Sequence, residues 1–139
     1  MTRKQEIMGK TAEMFKELFD RETLARLFSA ERSNEFFDAL FGDASEGAYD
    51  IELAWRDATE TELTMELRLN QRPNCCLVCN LTSGLPPVFT RHPIINIGGL
   101  VKEIDALPGN TRKSASWSLG ETEQLNEALH IIPLHIILA

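Results

Sequence analysis

Clustered positive charge is missing from this sequence. Its 139 residues include 14 Lys and Arg against 21 Asp and Glu, giving a formal net charge of −7. The basic residues are scattered, and the longest runs are the pairs Arg3-Lys4 and Arg112-Lys113. Surfaces that bind nucleic acid or anionic membranes need clustered Lys and Arg to neutralise phosphates. We therefore expect neither nucleic acid nor membrane among the partners.

Long apolar runs are also missing. A membrane-spanning helix needs about 18 or more consecutive apolar residues. The nearest candidate, IIPLHIILA at 131–139, is interrupted by Pro133 and His135. The first ten residues, MTRKQEIMGK, contain no apolar segment of the kind found in secretory signals. These observations predict a cytoplasmic protein.

Catalytic and cofactor-binding motifs are missing as well. The sequence contains no P-loop, no G-x-G-x-x-G, no H-E-x-x-H and no G-x-S-x-G. Its carboxylates fall mainly on the polar side of predicted strands, which indicates a solvated face rather than a converging acid–base pair. We therefore expect no catalytic residue and no cofactor, and nothing in the sequence requires an enzyme.

What the chain does contain is enough apolar material for one core. Hydrophobic residues make up 43% of the sequence and charged residues 25%, as in ordinary globular domains. A chain of this length buries roughly two thirds of its unfolded surface in a single domain. We predict one α+β domain over 1–139, with a helical segment at 1–42 and a sheet at 48–139.

The first third of the chain has helical periodicity. Apolar residues recur at helical spacing from Lys4 to Phe19, and Asp20 and Ser33 are placed to cap the starts of a second and a third helix. Gly42 lies where a left-handed residue ends the last helix. This Phe-rich stripe predicts core packing, and the alternative is a partner-binding or dimer face.

The rest of the chain predicts a mainly antiparallel sheet of about five strands with helices on one face. Apolar and polar residues alternate over 49–56 and 63–69, and short polar connectors join these strands to a third at 74–82 in a three-stranded meander. Helical spacing returns at about 95–107, and two C-terminal strands follow. The last strand is apolar on both faces, which favours a central place, whereas Pro133 favours a bulge or an exposed edge. This order of elements resembles the secretion-chaperone-like α+β arrangement.

The three cysteines lie together in NCCLVCN at 74–80. In the predicted third strand the side chains alternate, so Cys76 and Cys79 point to opposite faces of the sheet. Thiols also stay reduced in the cytoplasm, so a disulfide is not expected. We interpret the cysteines as small apolar fillers with no metal bound. A metal clip and a redox pair are the alternatives.

One weak candidate for a ligand site remains. Arg91 and His92 lie in a proline-bounded segment at 83–93 that we interpret as a loop or an edge crossing, and Gly98 and Gly99 lie near the start of the next predicted helix. A cation beside a helix N-terminus suits a carboxylate or phosphate, whereas the plainer interpretation is a solvated loop. His130 and His135 cannot share a metal unless a bulge at Pro133 turns one of them.

Taken together, the sequence favours a non-enzymatic binding or protein-interaction domain that forms homo-oligomers or binds another protein. The alternative function is a small-anion-binding domain or enzyme that uses Arg91, His92, Gly98 and Gly99.

Overall fold

The computed structural model describes residues 3–139, with side chains from residue 9 onward. Five α-helices are present in this part of the chain: α1 (Arg3–Leu18), α2 (Arg21–Leu27), α3 (Glu31–Phe41), α4 (Leu85–Arg91) and α5 (Ile97–Asp105). The strands are β1 (Tyr49–Ala58), β2 (Glu62–Gln71), β3 (Ser114–Leu119), β4 (Glu123–Gln124) and β5 (Leu129–Leu138). Short 3₁₀ turns lie at Ala44–Glu46, Val78–Asn80 and Thr82–Gly84. Residues 1 and 2 of the predicted helical segment lie outside the described part.

The five strands form one antiparallel sheet in the order β1-β2-β5-β3, and the short β4 also pairs with β5. The predicted α+β class and antiparallel sheet are confirmed. The three-stranded meander is wrong, because β5 lies beside β2 where the third strand was expected. The chain leaves the sheet after Gln71, and Asn74 adopts a left-handed φ of 61° that does not fit a strand.

Alternate side chains of β2 place the core on one face of the sheet. Leu63, Met65, Leu67 and Leu69 are each at most 1% exposed. Apolar residues of β5 lie opposite the first three of them and belong to the same core as helix residues such as Phe15 and Phe36. Fully burying one such side chain contributes roughly 1.5–3 kcal/mol. The amphipathic alternation of β2 therefore sets which face the helices cover.

The N-terminal helices begin and end largely as predicted. Asp20 caps α2 by accepting the Thr23 N–H at 2.8 Å, and this bond lowers the pKa of its carboxyl. Gly42 ends α3 with a left-handed φ of 78°. The expected cap at Ser33 is wrong, because Ser33 lies inside α3 and its buried Oγ accepts the Ile51 N–H at 2.8 Å.

The proline-rich segment at 83–93 is helical rather than a loop. Pro86 and Pro87 lie in the first turn of α4. Helical N–H groups in a first turn have no partner within the helix, so proline is tolerated there. The helix then packs its buried Phe89 edge-on against Phe36, with ring centroids 5.4 Å apart.

Pro133 lies in the middle of the central strand β5. Its carbonyl accepts the Gly120 N–H at 2.8 Å, so its backbone faces the side of β5 where β3 and β4 pair. On that side β3 ends at Leu119 and β4 begins at Glu123, so the missing proline N–H falls at the gap between them. This explains how β5 can be central and still carry a proline. The described pairs of β2 and β5 keep a continuous register, so the expected bulge is not found on that side.

Within the described residues, no helix has the length and apolar character needed to cross a membrane.

Candidate functional sites at the sheet edge and the cysteine turn

The structure places Arg91 and His92 at the end of α4. Arg91 is exposed and is the last residue of the helix. His92 is half-buried, its ring lies edge-on to Phe36 with centroids 4.8 Å apart, and its Nδ1 accepts the Ile94 N–H at 3.2 Å. These contacts give His92 a packing and turn-forming role.

Gly98 and Gly99 lie in the first turn of α5, as predicted. The side chain of Asn96 caps this turn, because its Oδ1 accepts the Gly99 N–H at 3.1 Å. A Cβ on Gly99 would clash with the amide nitrogen of the Asn96 side chain. Glycine is therefore needed here to admit the capping side chain. An anion at this helix start would compete with Asn96 for the same N–H group.

The two histidines of β5 face opposite sides of the sheet, as the alternation predicts. His130 lies on the core face, is 1% exposed, and its Nδ1 is 2.5 Å from the Thr82 hydroxyl. Burial lowers the pKa of His130. His135 lies on the other face with Nδ1 3.0 Å from a Glu62 carboxylate oxygen. Among the described residues, no group of three or more His, Cys, Asp and Glu is arranged to hold a metal ion.

The cysteine segment does not form the predicted strand. It turns, and Cys76 and Cys79 are joined by a disulfide with their Cα atoms 5.4 Å apart. Two backbone bonds fold the segment, from Cys75 N–H to Arg72 O and from Asn80 N–H to Leu77 O. The interpretation of all three cysteines as inert fillers is therefore wrong for Cys76 and Cys79, which are exposed, while Cys75 is free and half-buried. Pro73 before the segment and the asparagines at both of its ends were the signals of a turn.

The free edge of β1 was not expected from the sequence. Within the described sheet β1 pairs with β2 alone, so its other edge carries no strand. The Ile51 N–H donates to Ser33 on that open side. Because successive strand residues alternate in direction, the peptide group of Leu53 also faces away from β2. The edge therefore presents backbone hydrogen-bonding groups beside the helices.

A groove of about 540 Å³ lies between this edge and α2. Its floor is the strand from Asp50 to Ala54, and its helical wall includes Leu24, Ala25 and Phe28. Arg21 also lines it and is exposed. The groove therefore combines an open strand edge, an apolar wall and charges of both signs. No alternation or motif reveals it, because strand order in the sheet decides which edge is open.

No protein-family model, curated protein or solved structure matches this chain.

Proposed function

We propose that the chain is a protein-interaction domain that self-associates by pairing the β1 strands of two copies about a two-fold axis. The observation that carries this proposal is the open edge of β1 beside the groove under α2. An unpaired strand edge is a template for another strand, since its N–H and C=O groups otherwise bond only to water.

The contacts of β1 favour one register for this pairing. Ser33 already accepts the Ile51 N–H, so the first open donor along the strand is that of Leu53. The regular edge ends after Trp55, where the β1–β2 register shifts. A two-fold axis at Ala54 pairs Leu53 with Trp55 of the second copy. In an antiparallel ladder each such pair exchanges two hydrogen bonds.

The charges of β1 also fit this register. An axis at Ala54 sets Glu52 opposite Arg56 of the second copy, whose guanidinium also binds Glu66 and Glu123 of its own chain, and opposite charges across strands stabilise a pair. An axis at Glu52 would instead set two like charges against each other. The small side chain of Ala54 permits close approach at the axis itself. The register thus uses the open donors and avoids like-charge contacts.

Sedimentation velocity over a range of concentrations tests the proposal. We expect the wild-type chain to sediment as a dimer, and we expect Ala54→Lys and Ala25→Lys to be monomeric, because each places a charge in the groove. Ala39→Lys is the matched control, since Ala39 is exposed on α3 and does not line the groove. A wild-type chain that stays monomeric, even while binding a different protein, contradicts self-association. Dissociation by Ala39→Lys would contradict the assignment to β1.

We propose the small-anion site as a second candidate function. Arg91 is exposed beside His92, but Asn96 already binds the Gly99 N–H at the start of α5. Thermal-shift measurements with phosphate and acetate test this site. We expect one of these anions to raise the melting temperature of the wild type but not that of Arg91→Ala, and no rise in the wild type contradicts the site.

Placement in the cytoplasm is also part of the proposal, supported by the sequence pattern and by the lack of a membrane-crossing helix among the described residues. Cell fractionation checks it, and recovery in a secreted or membrane fraction would contradict it.

A further inference from the structure

The cysteine turn, residues 74–81, presents a disulfide to solvent. Cys76 and Cys79 are exposed, whereas Leu77 between them is 0% exposed and belongs to the main core. The turn is therefore anchored by one leucine and displays both sulfur-bearing residues outward. This arrangement makes the disulfide accessible to an attacking thiolate, which a core disulfide is not.

Contacts other than the disulfide also hold the turn in shape. The Leu77 N–H donates to Gln71 Oε1 at 3.0 Å, and the Asn80 side-chain amide donates to the Cys76 carbonyl at 2.6 Å. The disulfide itself spans only two intervening residues, and stabilisation by loop closure is smallest for short loops. We therefore expect the turn to keep its shape when the disulfide is reduced. Holding the turn in shape is then not a sufficient reason for the disulfide to be present.

The two sulfurs are not equivalent. The Cys79 N–H donates to Cys76 Sγ at 3.2 Å. A hydrogen bond to sulfur favours the thiolate over the thiol, so in the reduced chain Cys76 is the better nucleophile and the better leaving group. Cys79 is then positioned to resolve a mixed disulfide formed at Cys76.

Exposed apolar side chains lie within the same turn. Val78, between the cysteines, is 48% exposed, and Leu81 is 77% exposed with a left-handed φ of 49°. A leucine in this backbone conformation is strained, and strained residues are concentrated at functional sites. An apolar rim favours a partner polypeptide over a small hydrophilic thiol such as glutathione.

From these observations we propose that Cys76 and Cys79 form a reversible dithiol–disulfide couple that exchanges with cysteine pairs of partner proteins. In the reducing direction, the Cys76 thiolate attacks one sulfur of a partner disulfide, and the other partner sulfur leaves as a thiolate and takes up a proton. The Cys79 thiol then loses its proton and attacks Cys76 Sγ in the mixed disulfide, which releases the first partner sulfur as a thiolate that takes up a proton. The partner disulfide is thereby reduced to a dithiol by two electrons from the chain, whose Cys76–Cys79 bond forms again; the reverse sequence oxidises a partner dithiol.

Single-cysteine variants test the assignment of the reactive sulfur. With Cys75→Ala in both, Cys79→Ser leaves Cys76 free and Cys76→Ser leaves Cys79 free. We expect the Cys76 thiol to react with iodoacetamide at pH 7 roughly tenfold faster than the Cys79 thiol, because the hydrogen bond to its sulfur favours the reactive thiolate. The pH–rate profile must show the lower midpoint for Cys76. Equal midpoints overturn the assignment.

Redox titration of the full chain tests reversibility. Equilibration in glutathione buffers of increasing ratio, followed by alkylation and mass spectrometry, should show full interconversion of the two forms, and circular dichroism should show both to be folded. Loss of the fold on reduction overturns the proposal in favour of a structural disulfide. A disulfide that no ratio reduces in the folded chain overturns it too.

A peptide disulfide flanked by leucines tests the partner class. We expect it to react with reduced Cys79→Ser faster than glutathione disulfide does, and Leu81→Ser should remove the difference. Equal rates for the two probes overturn the assignment to protein partners. The monomeric variant Ala54→Lys should retain the couple unchanged, so failure of the self-association proposal and failure of this one are distinguishable.

Discussion

At the scale of single residues, Arg72 connects several parts of the fold, and no motif in the sequence predicted this role. Its side chain is 14% exposed and its guanidinium lies over the Phe37 ring, 5.2 Å from the centroid. It also donates to four oxygens, those of the Asn34 side chain, the Ala44 and Gly47 carbonyls and the Asp50 carboxylate. These partners lie 22 to 38 residues away in the chain. Sequence periodicity describes near neighbours, so it cannot identify such a residue.

Replacing Arg72 should therefore destabilise the fold strongly. We expect Arg72→Met to lower the free energy of unfolding by about 2–4 kcal/mol, because it leaves partly buried carbonyls without donors. Arg72→Lys should recover only part of this, since an ammonium cannot reproduce the planar fork. Urea unfolding measures both. The control is Arg68→Met, whose more exposed ion pair with Glu66 at 3.6 Å contributes about 0–1 kcal/mol. Equal losses at the two positions would contradict this role.

At the scale of elements, the sequence pattern predicted the structure correctly where one face of a strand is buried and the other is exposed to solvent. The alternation in β1 and β2 predicted both strands and their hairpin, whereas the place of β5 stayed open, because its apolar character favoured the centre and Pro133 favoured an edge. The pattern failed at 74–82, because alternating Cys, Leu and Val are compatible with a strand and with a turn anchored by Leu77. It failed again at α4, where two prolines mark a helix start as well as a loop.

The gap between β3 and β4 gives a prediction at this scale. Gly120 fills the gap opposite Pro133, and a Cβ there would lie 2.8 Å from Pro133 Cγ and 3.0 Å from His135 Nε2. We expect Gly120→Ala to lower the free energy of unfolding by about 1–3 kcal/mol through overpacking against the proline ring.

Gly84→Ala is the matched control, because a Cβ at Gly84 meets no described atom within 4 Å. Its φ of −86° also suits alanine. We expect it to be neutral or to stabilise the fold by about 0.4–1 kcal/mol. Chemical denaturation of both variants checks the pair. If Gly120→Ala is as stable as Gly84→Ala, the prediction that a Cβ at Gly120 overpacks against Pro133 is wrong.

At the scale of the whole molecule, composition and periodicity were enough for the α+β class and the antiparallel sheet. They were not enough for either candidate site. The groove exists because no described strand pairs with the outer side of β1, and strand order is a long-range property. The disulfide exists because the chain turns at Asn74, which brings Cys76 and Cys79 together. The cysteine turn therefore follows from a departure from the predicted strand pattern, whereas the groove follows from a strand order that the pattern left open.

The pH dependence of stability is a property of the whole molecule to which His130 contributes a defined part. Burial lowers its pKa below the ordinary value of 6.5, and a hydrogen bond with the Asn126 backbone opposes this only in part. In the window between the folded pKa and 6.5, the unfolded chain binds the proton and the folded chain does not. The free energy of unfolding therefore falls as pH decreases through this window.

Urea unfolding of wild type and His130→Gln at several pH values between about 7.5 and 5.5 measures this contribution. We expect the wild type to be the more stable at the upper end, because His130 contacts the Thr82 hydroxyl at 2.5 Å, and its advantage should shrink as pH falls. Thr82→Val keeps the buried imidazole, so its stability should retain the slope of the wild type. Parallel curves for wild type and His130→Gln would mean that the imidazole takes up a proton as easily in the folded chain as in the unfolded one. That result would contradict the lowering of the His130 pKa by burial.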